Sequence, residues 1–341
     1  MDVCLFRGED TGWDDYVKKS DKAELYHLSG WKRVMENSFG NRTFYLMAKD
    51  NGDVKGVLPL VLLRSRLFGT FLVSLPFFDC AGICAENKEA EEILLHKAID
   101  IAKKERAGHI EFRQIEEGNF GLPTKLSKVT MIMELNSDYQ ILWKGLKCKV
   151  RNQVRKAQRC GLTIKAGREK DLNGFYRVFA LNMRDLGIPV HSKRLFENIM
   201  NGFPEEANIF SVLKDGEVIA SGFTIGFKDT LQIPWASSIR KFNKFCPNNL
   251  MYWEIIKYGC EAGYRYFDFG RSTVDGGTYR FKKQWGARAK QLYWRYWLVD
   301  GDKVPEINQD NPKYKLAIKL WQKLPLPATK IIGPSIVKNL S

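Results

Sequence analysis

Apolar and polar residues along the chain fall into a pattern that occurs twice. From Phe44 to Leu63 the chain reads FYLMAKDNGDVKGVLPLVLL, an apolar run, an Asn-Gly turn and a second apolar run. That is the pattern of a two-stranded hairpin. Asn208 to Phe227, NIFSVLKDGEVIASGFTIGF, is built the same way around Asp215-Gly216. Each hairpin is followed by another apolar strand and then by helical periodicity. The two helical stretches are EAEEILLHKAIDIAKKERAG (Glu89–Gly108) and NNLMYWEIIKYGCEAG (Asn248–Gly263). Both end in Ala-Gly, a helix stop signal. Both pass directly into a strand, HIEFRQI (His109–Ile115) and YRYFDFGRS (Tyr264–Ser272), and both reach a late strand, KVTMIMEL (Lys128–Leu135) and QLYWRYWLV (Gln291–Val299).

Hairpin, strand, helix, strand and late strand in one order, twice over, predict two copies of one α/β (α+β) domain. The copies span residues 1–137 and 163–310, with mixed, mostly antiparallel sheets. Residues 138–162 read as a basic connecting helix. Leu142, Leu146, Val150, Val154 and Ala157 form its apolar stripe, and Lys147, Arg151, Arg155 and Arg159 run beside it at intervals of four. Like charges at that spacing repel by a few tenths of a kcal/mol per pair. A polyanion would reward them; a solvated face is the plain alternative. Residues 311–341 form a basic amphipathic extension. Ile318, Trp321 and Leu324 lie near one face with Lys315, Lys319 and Lys323 beside them. Such a helix either lies on an anionic membrane surface or docks on the second domain. The charge-free stretch Leu67–Phe78 is too short to span a bilayer and reads as a buried strand pair.

Composition narrows the partners. The 341 residues are 44% hydrophobic and 27% charged, which is a folded composition, and 54 Lys+Arg against 39 Asp+Glu leave a net charge of +15. That balance favours a polyanionic partner such as RNA, an acidic glycan, a phosphorylated small molecule or an anionic membrane. Seven scattered cysteines include no CxxC pair, and the four histidines do not cluster, so no metal site is expected. The thiols read as small core residues in a reducing compartment. The acidic start, MDVCLFRGEDTGWDD, lacks an apolar signal region. The expected location is therefore cytoplasmic, with peripheral attachment at the inner membrane face as an additional possibility.

The tandem repeat, the segment KVRNQVRKAQRCGL and the segment FDFGRSTVDGGTYRFKKQWGA together resemble the FemAB family. Further segments carry the same likeness: Gly56–Ile83, NMRDLGIPVH (Asn182–His191) and NPKYKLAIKLWQKLPLPATKIIGP (Asn311–Pro334). Within the family the chain is most similar to the subgroup associated with exosortase (PEP-CTERM) and exopolysaccharide systems. The resemblance implies two tandem GNAT-like (acyl-CoA N-acyltransferase) domains. It also implies transfer of an aminoacyl or acyl group to an amine of a cell-envelope precursor, peptidoglycan-related or exopolysaccharide, either lipid-linked or free. Two other readings stand beside it: a CoA-dependent N-acetyltransferase acting on an amino sugar, and a non-catalytic RNA- or polysaccharide-binding protein on the same scaffold. No tightly bound cofactor and no DNA partner are expected. The donor is aminoacyl-tRNA or acyl-CoA. The chain departs from the family in two ways. It has no long helical-hairpin insertion, which bears on tRNA, and no clear (Q/R)xxGx(G/A) loop, which bears on CoA.

The resemblance places Lys282, preceded by Phe281, near the substrate's phosphates and the reacting carbonyl. Tyr279, three residues earlier, shares its face on a short helical turn and is a second oxyanion donor. Asp268 is the candidate to accept the amine's proton, or a structural partner of Arg271. Arg271, Lys283 and Trp285 surround these as substrate-binding candidates, with core packing the alternative for Tyr279 and Trp285. Glu111 and Arg113 alternate with apolar residues on their strand; they either line a cleft between the domains or form a buried ion pair. Ahead of the second copy's helix stand Arg240, Lys241 and Lys244, then Asn248-Asn249 as a cap, which suits an anion. The first copy's helix opens with Glu86, Glu89, Glu91 and Glu92, which would repel one. No Ser-His-Asp or Cys-His arrangement is visible, so the amine is expected to attack directly.

Overall fold

A computed structural model describes residues 1–8, 12–65, 69–118, 121–299, 304 and 312–339. In chain order the elements begin with β1 (Asp2–Leu5), α1 (Gly12–Lys19), α2 (Gly30–Phe39), β2 (Arg42–Asp50), β3 (Asp53–Ser65), β4 (Gly69–Val73) and β5 (Cys84–Ala85). There follow α3 (Lys88–Lys104), β6 (His109–Gln114), β7 (Thr124–Lys125), β8 (Val129–Glu134), α4 (Tyr139–Gly145), α5 (Cys148–Arg159) and β9 (Thr163–Gly167). Next come α6 (Leu172–Leu186), α7 (Lys193–Gly202), β10 (Ala207–Lys214), β11 (Glu217–Phe227), β12 (Thr230–Ser238), α8 (Pro247–Glu261) and β13 (Tyr266–Ser272). The chain ends with α9 (Gly277–Lys283), β14 (Arg288–Gln291), β15 (Tyr293–Leu298), α10 (Pro312–Lys323) and α11 (Leu326–Val337).

The two hairpins form where the turn chemistry places them. Asn51 and Gly52 both have positive φ, as do Asp215 and Gly216. Turns of that hand match the twist of the strands they join. In each copy the strand after the hairpin runs parallel to the strand after the helix: β4 with β6, and β12 with β13. The remaining pairings recorded around them are antiparallel.

The chain divides into two compact units. Unit 1 holds Met1–Val129 and Gln291–Glu306, and its sheet runs β1-β2-β3-β4-β6-β15-β7 with β5 beside β3. Its core packs α3 on the sheet through Leu94, Ala98 and Ala102, against Leu46, Leu58 and Ile110. Unit 2 holds Thr130–Lys290 and Ile307–Val337, and its sheet runs β14-β8-β13-β12-β11-β10-β9.

Each late strand belongs to the sheet of the other copy. KVTMIMEL, placed by its pattern at the end of the first domain, supplies β8 beside β13 in unit 2. QLYWRYWLV, placed in the second domain, supplies β15, paired from Tyr293↔Gln114 to Leu298↔His109 in unit 1. An alternating pattern fixes which face of a strand is buried, but not which neighbour it pairs with.

Three other expectations change. The single helix over Gln140–Leu162 is two helices broken at Leu146–Lys147, both with extended ψ, and it lies within unit 2. Among the described residues of the stretch Leu67–Phe78, only Gly69–Val73 is strand; the turn beyond holds Pro76, and Phe77 has φ 75°. Leu67 lies outside the described residues, as do Asn311 and 340–341 of the C-terminal extension. Cys80, Cys84 and Cys260 are buried as read from the sequence, whereas Cys4 and Cys148 are exposed.

Candidate active site

Parallel strands β12 and β13 pair only over Thr230↔Tyr266, Leu231↔Phe267 and Gln232↔Asp268. β12 continues to Ser238 and β13 to Ser272, so the two part company at Asp268. The cause is written in β12. Its register against β11 jumps from Ile225↔Gln232 to Phe223↔Trp235, which leaves Ile233 and Pro234 as a bulge. Proline cannot donate to a ladder and is found inside sheets mainly at bulges and edges. Pro234 was the sequence signal for this feature, and strand alternation alone passed over it.

Asp268 stands at the parting. It is 7% exposed, and its Oδ1 accepts from Thr130 Oγ1 of β8 (2.6 Å) and from the backbone N–H of Gly270 (2.7 Å). Gly270 has φ +76°, a left-handed conformation that a side chain would strain. The carbonyls freed by this bend are taken up by Lys282. Its Nζ donates to Gly270 O (2.8 Å) and Arg271 O (2.9 Å). Lys282 is 7% exposed, so it is not a solvated surface lysine. Phe281, beside it on α9, packs on Tyr252 of α8 at 5.2 Å between ring centroids.

Around this pair the candidates divide. Tyr279 is half-buried, with the Lys283 ammonium 5.6 Å from its ring; Lys283 and Arg271 are exposed. Trp285 is 1% exposed and packs 6.2 Å from Tyr252 in the core. Its Nε1 has no protein partner, nor do the buried Ser272 Oγ at the end of β13 and Asn248 Oδ1 in α8. Orphaned polar atoms are uncommon in protein interiors and mark places where water or a ligand belongs.

The segment from β12 into α8 is a 3₁₀ turn, Arg240–Phe245, that exposes Arg240, Lys241 and Lys244. Asn248 and Asn249 are not its cap. Pro247 occupies the first helical position and makes Cys246, at φ +59°, the boundary residue, with no side chain capping the first turn. Asn248 Nδ2 donates to Ser238 Oγ (3.0 Å), and Ser238 Oγ donates to Asn243 Oδ1 (2.9 Å), which fixes the turn. Asn249 Nδ2 reaches Gln153 Oε1 of α5 (3.2 Å). The N–H groups of Asn249 and Leu250 donate to Cys246 O, but a helix start without a side-chain cap, beside three exposed cations, is still suited to a phosphate.

The basic stripe is partly committed. Arg151 Nη1 donates to Lys144 O (2.9 Å), and the Arg155 guanidinium lies 5.6 Å from the Trp143 ring. Lys147 is the residue before α5, outside the regular spacing, while Arg155 and Arg159 are exposed. Arg155, Trp143, Trp253 and Tyr139 line an open pocket of about 300 Å³. In unit 1, Glu111 and Arg113 are a buried ion pair. Arg113 is fully buried, its Nε donates to Glu111 Oε1 (2.6 Å) and its Nη1 to Phe78 O (2.7 Å). Its guanidinium also sits 4.4 Å over Trp294. Among the described residues no group of three His, Cys, Asp or Glu could hold a metal ion.

The fold that carries this arrangement is that of the GNAT acyltransferases. The acetyltransferase (GNAT) domain family matches residues 146–283, which include β12, α8, β13 and α9. The lipid II:glycine glycyltransferase of Staphylococcus aureus is 21% identical over 91% of this chain and 97% of its own length. That alignment runs over 415 positions against 341 residues here, so the staphylococcal protein carries insertions with no counterpart in this chain. The crystal structure of FemX superposes with a TM-score of 0.67 at 18% identity, over 93% of this chain and 100% of that one. A tandem GNAT protein from the clavulanic acid biosynthesis pathway superposes at 0.57 with 10% identity, over 89% and 99%. Over nearly its whole length the chain is similar to lipid II:glycine glycyltransferase and to FemX, which supports its resemblance to the FemAB family.

Proposed function

We propose that the chain moves an aminoacyl or acyl group onto an amine of a cell-envelope precursor, and that unit 2 holds the donor. The observation that carries the reading is the parting of β12 and β13 at Gln232↔Asp268, with buried Asp268 and Lys282 beside it. The uncapped start of α8, with Arg240, Lys241 and Lys244 ahead of it, follows from the same strand and is suited to the donor's phosphate. The acceptor amine attacks the acyl carbonyl, and the electron pair moves to oxygen. Collapse of that intermediate expels the alcohol or thiol of the donor. Lys282 and Tyr279 are the donors to the developing oxyanion, and Asp268 is the carboxylate that receives the amine's proton. No residue of the chain is acylated on the way. The staphylococcal relative acts on lipid II with glycine, which makes an aminoacyl donor and a lipid-linked, peptidoglycan-type acceptor the first substrates to try. An exopolysaccharide amine is the second acceptor class.

The test is a transfer assay with purified protein, a mixed pool of aminoacyl-tRNA or acetyl-CoA as donor, and lipid-linked muropeptide or amino-sugar acceptors. The expected result is an acceptor heavier by one aminoacyl residue, dependent on aminoacyl-tRNA. Transfer from acetyl-CoA alone to an amino sugar would replace this reading with the N-acetyltransferase one. Binding of RNA or polysaccharide without product from any donor would overturn both.

A further inference from the structure

From Pro312 to Asn339 the chain holds six lysines and neither aspartate nor glutamate. It folds as α10 and α11, and both pack on α6 of unit 2. Their inward faces are accounted for. Ile318 sits against Gly187, whose positive φ and missing side chain leave it room, and Gln322 Nε2 donates to Asp185 O (3.0 Å). Thr329 is buried, and Gly333 lies close against the backbone of Val190. So the extension docks on its own domain, one of the two arrangements its sequence allowed.

The outward faces are not accounted for. Leu316 and Leu320, one turn apart on α10, are each 58% exposed; on α11 Ile331 is 76% and Ile332 45% exposed. The apolar exposure continues onto Leu186 and Ile188, either side of Gly187. Lys319 and Lys323 are exposed on the same side of α10 as the leucines. Neither helix is long and apolar enough to cross a bilayer. Large aliphatic side chains interleaved with lysines, on helices without a single acid, match a surface that lies in the plane of an anionic membrane. There the leucines and isoleucines enter the acyl boundary, and the lysines reach the headgroups. A second copy of the chain would instead bring like charges face to face.

We propose that the outer face of α10–α11 attaches the protein peripherally to an anionic lipid surface. This stands apart from the transfer reading: loss of vesicle binding would leave transfer to a water-soluble acceptor unaffected. The experiment is co-sedimentation of the full chain with sucrose-loaded vesicles of phosphatidylcholine alone or with about 30% phosphatidylglycerol, at about 0.1 M salt. Binding is expected with the anionic vesicles and not with the neutral ones. Leu320→Glu/Ile331→Glu is expected to cut the bound fraction at least tenfold. Lys319→Ser/Lys323→Ser is expected to cut it several-fold, and raised salt should mimic that change. All four positions are exposed, so unchanged thermal melts check that the variants fold. No binding by the unaltered chain overturns the proposal, as does unaltered binding by Leu320→Glu/Ile331→Glu. So does sedimentation velocity showing a dimer that Ile331→Glu dissolves, since the occupant would then be a second copy.

Discussion

The two units carry the same strands around their parallel pair and differ at the point where that pair ends. The last parallel match is Val73↔Glu111 in unit 1 and Gln232↔Asp268 in unit 2, so a carboxylate stands at the same register in both. Two residues further on, unit 1 has Arg113 and unit 2 has Gly270. In unit 1 the carboxylate is neutralised from its own strand, and the backbone beyond it is used up. Ser74 N donates to Glu111 O (2.9 Å), and Ala81 N donates to Arg113 O (3.0 Å). In unit 2 the carbonyl that corresponds to Arg113 O, Gly270 O, is held with the next one, Arg271 O, by a cation from another element, Lys282 of α9. The helices repeat the contrast. In unit 1, α3 is capped by Asn87, whose Oδ1 accepts from Ala90 N (2.9 Å), with Glu89 and Glu91 in its first turn; α8 has no side-chain cap. One copy has closed its opening with local polar contacts. The other keeps a charge and a helix terminus there, and the proposed division into a scaffold and a site rests on that difference.

Removing the two cations should break the comparison most sharply. Lys282→Ala is expected to lower kcat/KM for transfer by at least about 100-fold, the scale of losing an oxyanion donor, with the chain still folded. Arg113→Met leaves Glu111 buried without a counter-charge and is expected to cost about 3–5 kcal/mol of stability. Its folded fraction should retain transfer within about twofold. Thermal melts and transfer rates on both variants check the pair. Lost activity in Arg113→Met at full stability would move the site into unit 1.

Acid is the next way to separate the units. His191 in unit 2 lies beside Phe179, and desolvation lowers its pKa from 6.5 to about 4. His109 in unit 1, stacked on Phe71 at 4.7 Å, is also lowered by desolvation, but Glu111 pulls it back up. A half-buried imidazole kept neutral by desolvation binds a proton more readily once unfolded. Its stabilisation is therefore complete above about pH 6.5 and is lost as pH falls toward about 4. Unit 2 should accordingly lose stability first over this range. His191→Gln should flatten the decline in melting temperature, and His109→Gln should change it less.

Much of this architecture was legible in the residues, because turn chemistry and helix stops are local. Asn51-Gly52 and Asp215-Gly216 fixed the hairpins, and Ala262-Gly263 fixed the end of α8, whereas α3 stops at Lys104, ahead of Ala107-Gly108, with Arg106 in the left-handed conformation. The asymmetry between Glu89 and Glu91 on one helix and Arg240 and Lys244 ahead of the other was equally visible. What escaped was non-local. The exchange of β8 and β15 depends on partner choice, about which an alternating pattern is silent. The bulge at Ile233-Pro234 needed the register against β11. Trp285 and Arg113 were ambiguous because an aromatic or an arginine beside a glycine bend or a carboxylate serves packing as readily as chemistry. The Asn248-Asn249 cap failed because Pro247, one residue earlier, already starts the helix.

The helix termini give the smaller effects. Arg240→Glu/Lys244→Glu places carboxylates before α8, where they should repel a phosphate. The KM for the donor is expected to rise about tenfold, roughly 1.4 kcal/mol, with kcat little changed. In unit 1 the corresponding change is Asn87→Ala. It removes the side chain that accepts from Ala90 N and leaves that N–H to water, for an expected loss of about 1 kcal/mol. If α3 serves only as scaffold, the melting temperature should fall by a few degrees while KM and kcat for the donor stay fixed. A donor KM that moves with Asn87→Ala as it does with Arg240→Glu/Lys244→Glu would mean that both helix starts hold phosphate. The division into one closed and one working copy would then be wrong at the very residues that define it.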